Sequence, residues 1–236
     1  MGSVAIGVAW CGPPTWMLME SLMNLEAPAP GYQFIRNPKA MAVDVARNYI
    51  VWEFLERREC EWLLFVDRDA QLHPQTLMRL LSWGEPVVAA LAFTKGVPVT
   101  PVVYKGWTGK GTEYWIKVHD IHEWLLAHRE ELCTHRGALV DPRPDDGLYE
   151  VDFTGCHCLL VHREVLERMK VPWFRADERC RQEDRYFCEK ARELGYRVWV
   201  DRSVVAGHGY GEERSCGGLD FLAWYAIADW QEEVVE

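Results

Sequence analysis

The sequence contains no apolar stretch near the roughly 20 residues that a bilayer-spanning helix requires. Its opening apolar segment, MGSVAIGVAW, has no basic residue ahead of it, so it reads as a first buried strand and not as a secretory signal. The expected location is therefore the cytoplasm, with no membrane partner. None of the eight cysteines stands in a C-x-x-C pair, which removes zinc-ribbon spacing and leaves reduced core thiols. Internal repeats and low-complexity tracts are absent as well. Positive charge is in deficit, 26 Lys and Arg against 36 Asp and Glu, for a net charge of −10. Loose, sequence-independent binding to nucleic acid is disfavoured by that balance. A local basic groove in the arginine-bearing stretch from Arg163 to Arg185 is not.

What is present is an ordinary globular composition, 49% hydrophobic and 26% charged, in a chain of 236 residues. The first half alternates strand and helix. VAIGVAW ends in the turn cluster CGPP, TWMLMESLMNL is helical, and YQFI is a second strand ending at Arg36. In AMAVDVARNYIVWEFLERR the residues Met41, Val45, Trp52 and Leu55 fall near one helical face. The run WLLFV, the helix PQTLMRLLSW and the apolar PVVAALAF complete three strand–helix units. Such units predict a mostly parallel sheet with helices on both faces and its ligand at the carboxyl ends of the strands. After Phe93 short strand-like pieces rich in glycine predict a smaller antiparallel portion. IHEWLLAHREELC reads as a helix, RGALVDPRPDDG as a mobile connector, and EDRYFCEKARELGYRVWVD as a helix closed by Gly195 before a strand. One domain over 1–236 is expected, with a first half at 1–104 and a second, ending in a helix, at 105–236.

Four features carry candidate chemistry. Asp67-Arg68-Asp69 ends the run WLLFV, where it either caps the helix expected at 74–83 or offers hard oxygen ligands to a divalent metal. Glu183-Asp184 opens a helix, where acids suit the helix dipole or supply a general base. His208 lies between Gly207 and Gly209, where the backbone is free to present the imidazole, and an imidazole beside carboxylates tilts a site toward manganese. DVARN, from Asp44 to Asn48, interrupts its helix with polar groups that are either solvated or, with Arg36, a nucleotide clamp. The stretch FTGCHCLLVH reads as one strand, placing Cys156 and Cys158 on one face and His157 on the other.

In this order, DRD, TGCHCLLVHREVL leading to VPWF, EDRYFCEKARELGYRVWVD and His208 resemble a GT-A-type glycosyltransferase, most like the family 2 enzymes and their phage-encoded relatives. The resemblance runs from Val4 to Tyr210. It implies a nucleotide-diphosphate sugar donor, UDP-sugars favoured, and a Mn2+ or Mg2+ ion held by Asp67, Asp69 and His208 in the D-x-D manner. It further implies that Asp184, with Glu183, deprotonates a hydroxyl acceptor in an inverting transfer. Ala9, Trp10, Arg36, Asp44 and Arg47 would frame the nucleotide, Arg68 would reach phosphate or solvent, and Thr154 and Gly155 would lie beside the sugar. The acceptor implied is a glycan or a modified base in DNA, the latter placing the protein in a host cytoplasm. Three alternatives stay open: a retaining transferase, a sugar-nucleotide nucleotidyltransferase, and a non-catalytic module stacking sugars on Trp107, Trp115 and Trp173. The nucleotidyltransferase needs a basic phosphate loop, and CGPPTWMLME has no lysine or arginine. Loops 105–112 and 137–147 and the C-terminal LDFLAWYAIADW are expected to shape the acceptor pocket or an oligomer contact.

Overall fold

A computed structural model of the chain describes residues 3–9, 11–95, 99–107, 113–115, 118–134, 138–140, 147–176, 182–210, 214–216 and 218–223. The first strand, β1 (Ser3–Ala9), leads through CGPP to α1 (Trp16–Asn24), whose N-cap Thr15 accepts from the Leu18 amide. Next come β2 (Tyr32–Arg36), α2 (Val43–Glu56), β3 (Cys60–Asp67), β4 (Ala70–Gln71), α3 (Thr76–Ser82) and β5 (Val87–Leu91). The antiparallel pieces expected after Phe93 are β6 (Val103–Trp107) and β7 (Glu113–Trp115). The helix IHEWLLAHREELC forms as two, α4 (Val118–Ala127) and α5 (Arg129–Thr134). Then follow β8 (Leu139–Val140), β9 (Leu148–Val151), β10 (Phe153–Thr154), β11 (Cys158–His162), α6 (Arg163–Arg168), α7 (Glu183–Glu193), β12 (Val198–Val205), β13 (Gly207–Tyr210) and β14 (Arg214–Cys216). Gly195, at φ +90°, closes α7 in the left-handed conformation that glycine adopts without penalty.

The main sheet has the order β2-β1-β3-β11-β5-β12-β8, with β9 also on β12. The strands β2, β1 and β3 run parallel, as do β5 and β12, while β11 is antiparallel between β3 and β5. Strict alternation along these strands builds two cores. Leu63, Phe65, Ala89, Leu159 and Val161 face one side with α2, α6 and α7. Leu64, Val66, Val88, Ala90 and Leu160 face the other with α1 and α3. At Gly7 the α2 layer comes so close that a Cβ would stand 2.4 Å from Ile50 Cγ2, so only glycine lets helix and strand meet there.

Two local expectations are corrected. Helix α2 buries Ala46, Arg47, Ile50, Val51 and Phe54, whereas Val45 and Trp52 are each 52% exposed. The helix is apolar on more than one side, and the buried stripe is the one that carries Arg47 inward. The stretch FTGCHCLLVH is not one strand: it bends at 155–157, so Cys156 joins one core and Cys158 the other. Residues 108–112, 135–137, 141–146 and 224–236, which hold much of the expected acceptor-side loops and C-terminal segment, lie outside the described residues.

Candidate metal centre and catalytic site

Strand β3 ends at Asp67 in register with Ala9, the end of β1. The chain then turns through Arg68 and Asp69 into β4, and backbone bonds pin that turn on both sides. Thr15 N donates to Arg68 O at 2.8 Å, and Gly209 N donates to Asp69 O at 2.6 Å. The Asp67 amide donates to His157 O at 3.1 Å, which ties the bend before β11 to the same place. Neither aspartate caps α3, whose N-cap is Gln75 without a side-chain bond, so the capping alternative is removed.

Asp67, Asp69, His157 and His208 each offer one ligand atom, and all of these lie within 4.8 Å of one another. His157 Nε2 meets Gly207 O at 2.8 Å and His208 Nδ1 meets Phe93 O at 3.2 Å. A carbonyl only accepts, so these nitrogens carry the ring hydrogens. The other nitrogens face carboxylates: His157 Nδ1 is 3.4 Å from Asp67 Oδ2, and His208 Nε2 is 3.6 Å from Asp69 Oδ1. A neutral imidazole lone pair aimed at a carboxylate is favourable only with a cation between them, a proton or a metal. Backbone carbonyls that fix the tautomer of a ligating imidazole are the usual second layer of a metal site. Two carboxylates with two imidazoles suit manganese or another first-row ion better than calcium, which prefers oxygen alone. The residues fit a metal.

Neighbouring cations balance the carboxylates of this group. Burial would raise the Asp67 carboxyl, but Arg47 and the His157 hydrogen bond outweigh it and hold it well below the usual carboxylate range. Burial would likewise discharge His157, and Asp67 instead raises it. The His208 ring, with its centroid 4.1 Å from that of His157, is pushed down to about 4 by burial and by its charged neighbour. Lys95 forms an ion pair with Asp69 Oδ2.

Arg47 is only 3% exposed and sits between the two acidic motifs. It donates to Asp67 Oδ1 at 2.8 Å and to Glu183 Oε1, with its guanidinium 5.8 Å from the centroid of the Phe174 ring. An isolated buried guanidinium would cost several kcal/mol, and two carboxylates offset that cost. Beside Glu183, in the first turn of α7, Asp184 is lifted to about 6, chiefly by burial, with Arg47 opposing and Glu183 assisting. Gly155 lies against it: a Cβ there would be 3.5 Å from Asp184 Oδ2 and 3.3 Å from Val102 Cγ1.

The remaining predicted residues have diverse surroundings. Thr154 is buried and spends its hydroxyl on Val102 O at 2.7 Å. Asp44 accepts from the Ala176 amide at 3.3 Å, fastening α2 to the segment before α7. Arg36 and Arg68, with Val8, Gly12, Pro14, Met19 and Phe34, line a cleft of about 180 Å³ at the carboxyl ends of β1 and β2. Arg68 does not simply enter solvent, because its NH1 donates to Pro13 O at 2.9 Å. Trp10 lies outside the described residues. Trp173 is buried and bonds Leu166 O at 2.9 Å, so it belongs to the core and stacks on no sugar. His157 and Lys95 are the site residues that sequence reasoning missed. For His157 the signal was there in CHC, hidden by reading one strand straight through the bend at 155–157.

No family model and no curated protein matches the sequence. Among solved structures, A197 from STIV superimposes with a TM-score of 0.63 at 19% identity, covering 93% of this chain and 92% of that one. GalNAc-T7, solved with UDP, GalNAc and Mn2+, superimposes with a TM-score of 0.54 at 10% identity, covering 96% of this chain. The chain spans about half of that protein, 48%. At such identities it is the fold that is shared: a central, mostly parallel sheet between helices with small antiparallel sheets beside it, which is the GT-A fold.

Proposed function

We propose that this protein is a metal-dependent glycosyltransferase that moves a sugar from a nucleoside-diphosphate sugar to a hydroxyl acceptor with inversion. The observation that carries this reading is convergence. A four-ligand Asp/His group and the acidic pair Glu183-Asp184, whose second carboxyl is lifted to about 6, are joined through Arg47. Asp67, Asp69, His157 and His208 would hold Mn2+ or Mg2+. Such an ion supplies positive charge where the departing phosphate gains negative charge.

The chain's own groups divide the remaining work. Asp184 takes the proton of the acceptor hydroxyl, a role suited to a base that titrates near 6. Glu183 is engaged by Arg47, so its part is to hold the two motifs together and, as a charged neighbour, to help raise Asp184. Gly155 lets the donor sugar approach the backbone beside Asp184. Arg36 and Arg68, in the cleft next to the D-x-D turn, receive the nucleotide.

The test is release of free nucleotide from UDP-, GDP- and TDP-sugars with Mn2+, with Mg2+ and with a chelator. Saccharides or hydroxyl-bearing DNA are added as acceptors, and Asp69→Ala is the control. Metal-dependent release from one donor, abolished by the chelator and by the substitution, is expected; UDP-sugars head the panel because GalNAc-T7 was solved with UDP. Absence of both release and nucleotide binding under every condition would overturn the proposal.

A further inference from the structure

Lys95 follows β5 at the rim of the metal-capable group, and nothing in the sequence marks it. Its ammonium pairs with Asp69 Oδ2, while Oδ1 of the same carboxylate faces His208 Nε2 at 3.6 Å. The two oxygens of Asp69 thus point in different directions, one into the ligand group and one to a lysine whose side chain is 33% exposed. A lysine with that exposure can also meet a ligand that enters from solvent. This one is a strongly hydrated point charge on a flexible stem, held one carboxylate away from the place where a metal and a diphosphate would meet.

We infer that Lys95 is a second cation for the donor's diphosphate, lent to Asp69 until metal and donor arrive. The inference rests on the transferase reading of the site. With Asp69 holding a divalent ion, the carboxylate would attract the ammonium less, and a phosphate oxygen would be the stronger partner for Lys95. Lys95 then contributes to diphosphate binding and to stabilising the leaving group. Arg47, the arginine that touches the ligand group, is committed to Asp67 and Glu183.

The test measures binding of Mn2+ alone and then of inorganic pyrophosphate to the Mn2+-loaded protein, for wild type, Lys95→Met and Lys95→Arg. Thermal melts confirm that all three fold. The expected result is Mn2+ affinity in Lys95→Met equal to or above wild type, pyrophosphate affinity reduced tenfold or more, and most of it restored in Lys95→Arg. Turnover of the donor found in the release assay should fall in Lys95→Met chiefly in kcat, by about a hundredfold, the usual scale for removing one preorganised donor from a developing oxyanion. Equal pyrophosphate affinity in wild type and Lys95→Met would overturn the inference and leave the transferase reading standing. Weakened Mn2+ binding with pyrophosphate affinity unchanged at saturating metal would reduce Lys95 to a positioner of Asp69, which also overturns it. Failure of pyrophosphate and nucleotide to bind loaded wild type would overturn both.

Discussion

At the scale of single residues, Asp184 shows how burial shifts the proton affinity of an ordinary acid. Its carboxyl is raised from 3.8 to about 6, so the folded chain keeps a proton between those values that the unfolded chain gives up. Stability therefore falls as pH rises through that interval and levels off above it. Asp184→Asn removes the buried charge and should stabilise the metal-free protein by about 2–3 kcal/mol at pH 7.5 with little effect near pH 3.5, as read by denaturant melts. The same variant should lose roughly 10²–10⁴ in kcat while keeping nucleotide affinity, and wild-type kcat should rise tenfold per pH unit up to about 6 and then flatten. Asp67, Asp69 and His208, which the structure brings into one group, were legible as candidates in the sequence because a polar residue at a strand end or between two glycines has little packing reason to be there. His157 and Lys95 were not. The first was masked by a presumed strand alternation, and the second acquires meaning only from the tertiary approach of its segment to Asp69.

At the scale of elements, the short antiparallel pairing of β13 on β4 brings His208 to Asp69. Its next residue, Gly209, has no room for a side chain: a Cβ would stand 2.7 Å from Met17 Cε and 3.0 Å from Asp69 O. The backbone neighbour cannot give way without shifting the D-x-D turn itself. Gly209→Ala should therefore cost about 1–3 kcal/mol of stability and weaken Mn2+ binding tenfold or more, measurable by melting and by titration of the ion. Helix α7 was legible from its acidic start and closing glycine, whereas the buried face of α2 was not. No periodicity predicts that an arginine belongs inside, because the two carboxylates that hold it, at 67 and 183, lie far from it in sequence.

At the scale of the whole molecule, the ligand group draws on segments from both halves of the chain, residues 67–69 from one and 157 and 208 from the other. An ion that binds only the folded arrangement must stabilise all of it. At a hundredfold excess over its dissociation constant the gain is about 2.7 kcal/mol. The melting temperature should rise saturably with Mn2+ and stay flat in Asp69→Ala and in His157→Ala; a flat response in wild type would remove the metal site. The strand alternation, the parallel first half and the antiparallel additions after Phe93 were legible because burial on both faces writes itself into apolar runs. The position of β11 was not, since an antiparallel strand inserted between parallel ones leaves no local mark. The direction of the sheet has one more consequence. The turns that begin the parallel strands, at 57–59 before β3, at 84–86 before β5 and at 195–197 before β12, all lie at the end opposite the D-x-D turn. Gly84 and Gly195 there face open space but stand at φ +64° and +90°, which keeps those two positions glycine and leaves their neighbours as the points of attachment. A fluorophore, a surface tether or a fused domain attached beside these turns would hang behind the molecule, away from the metal-capable group.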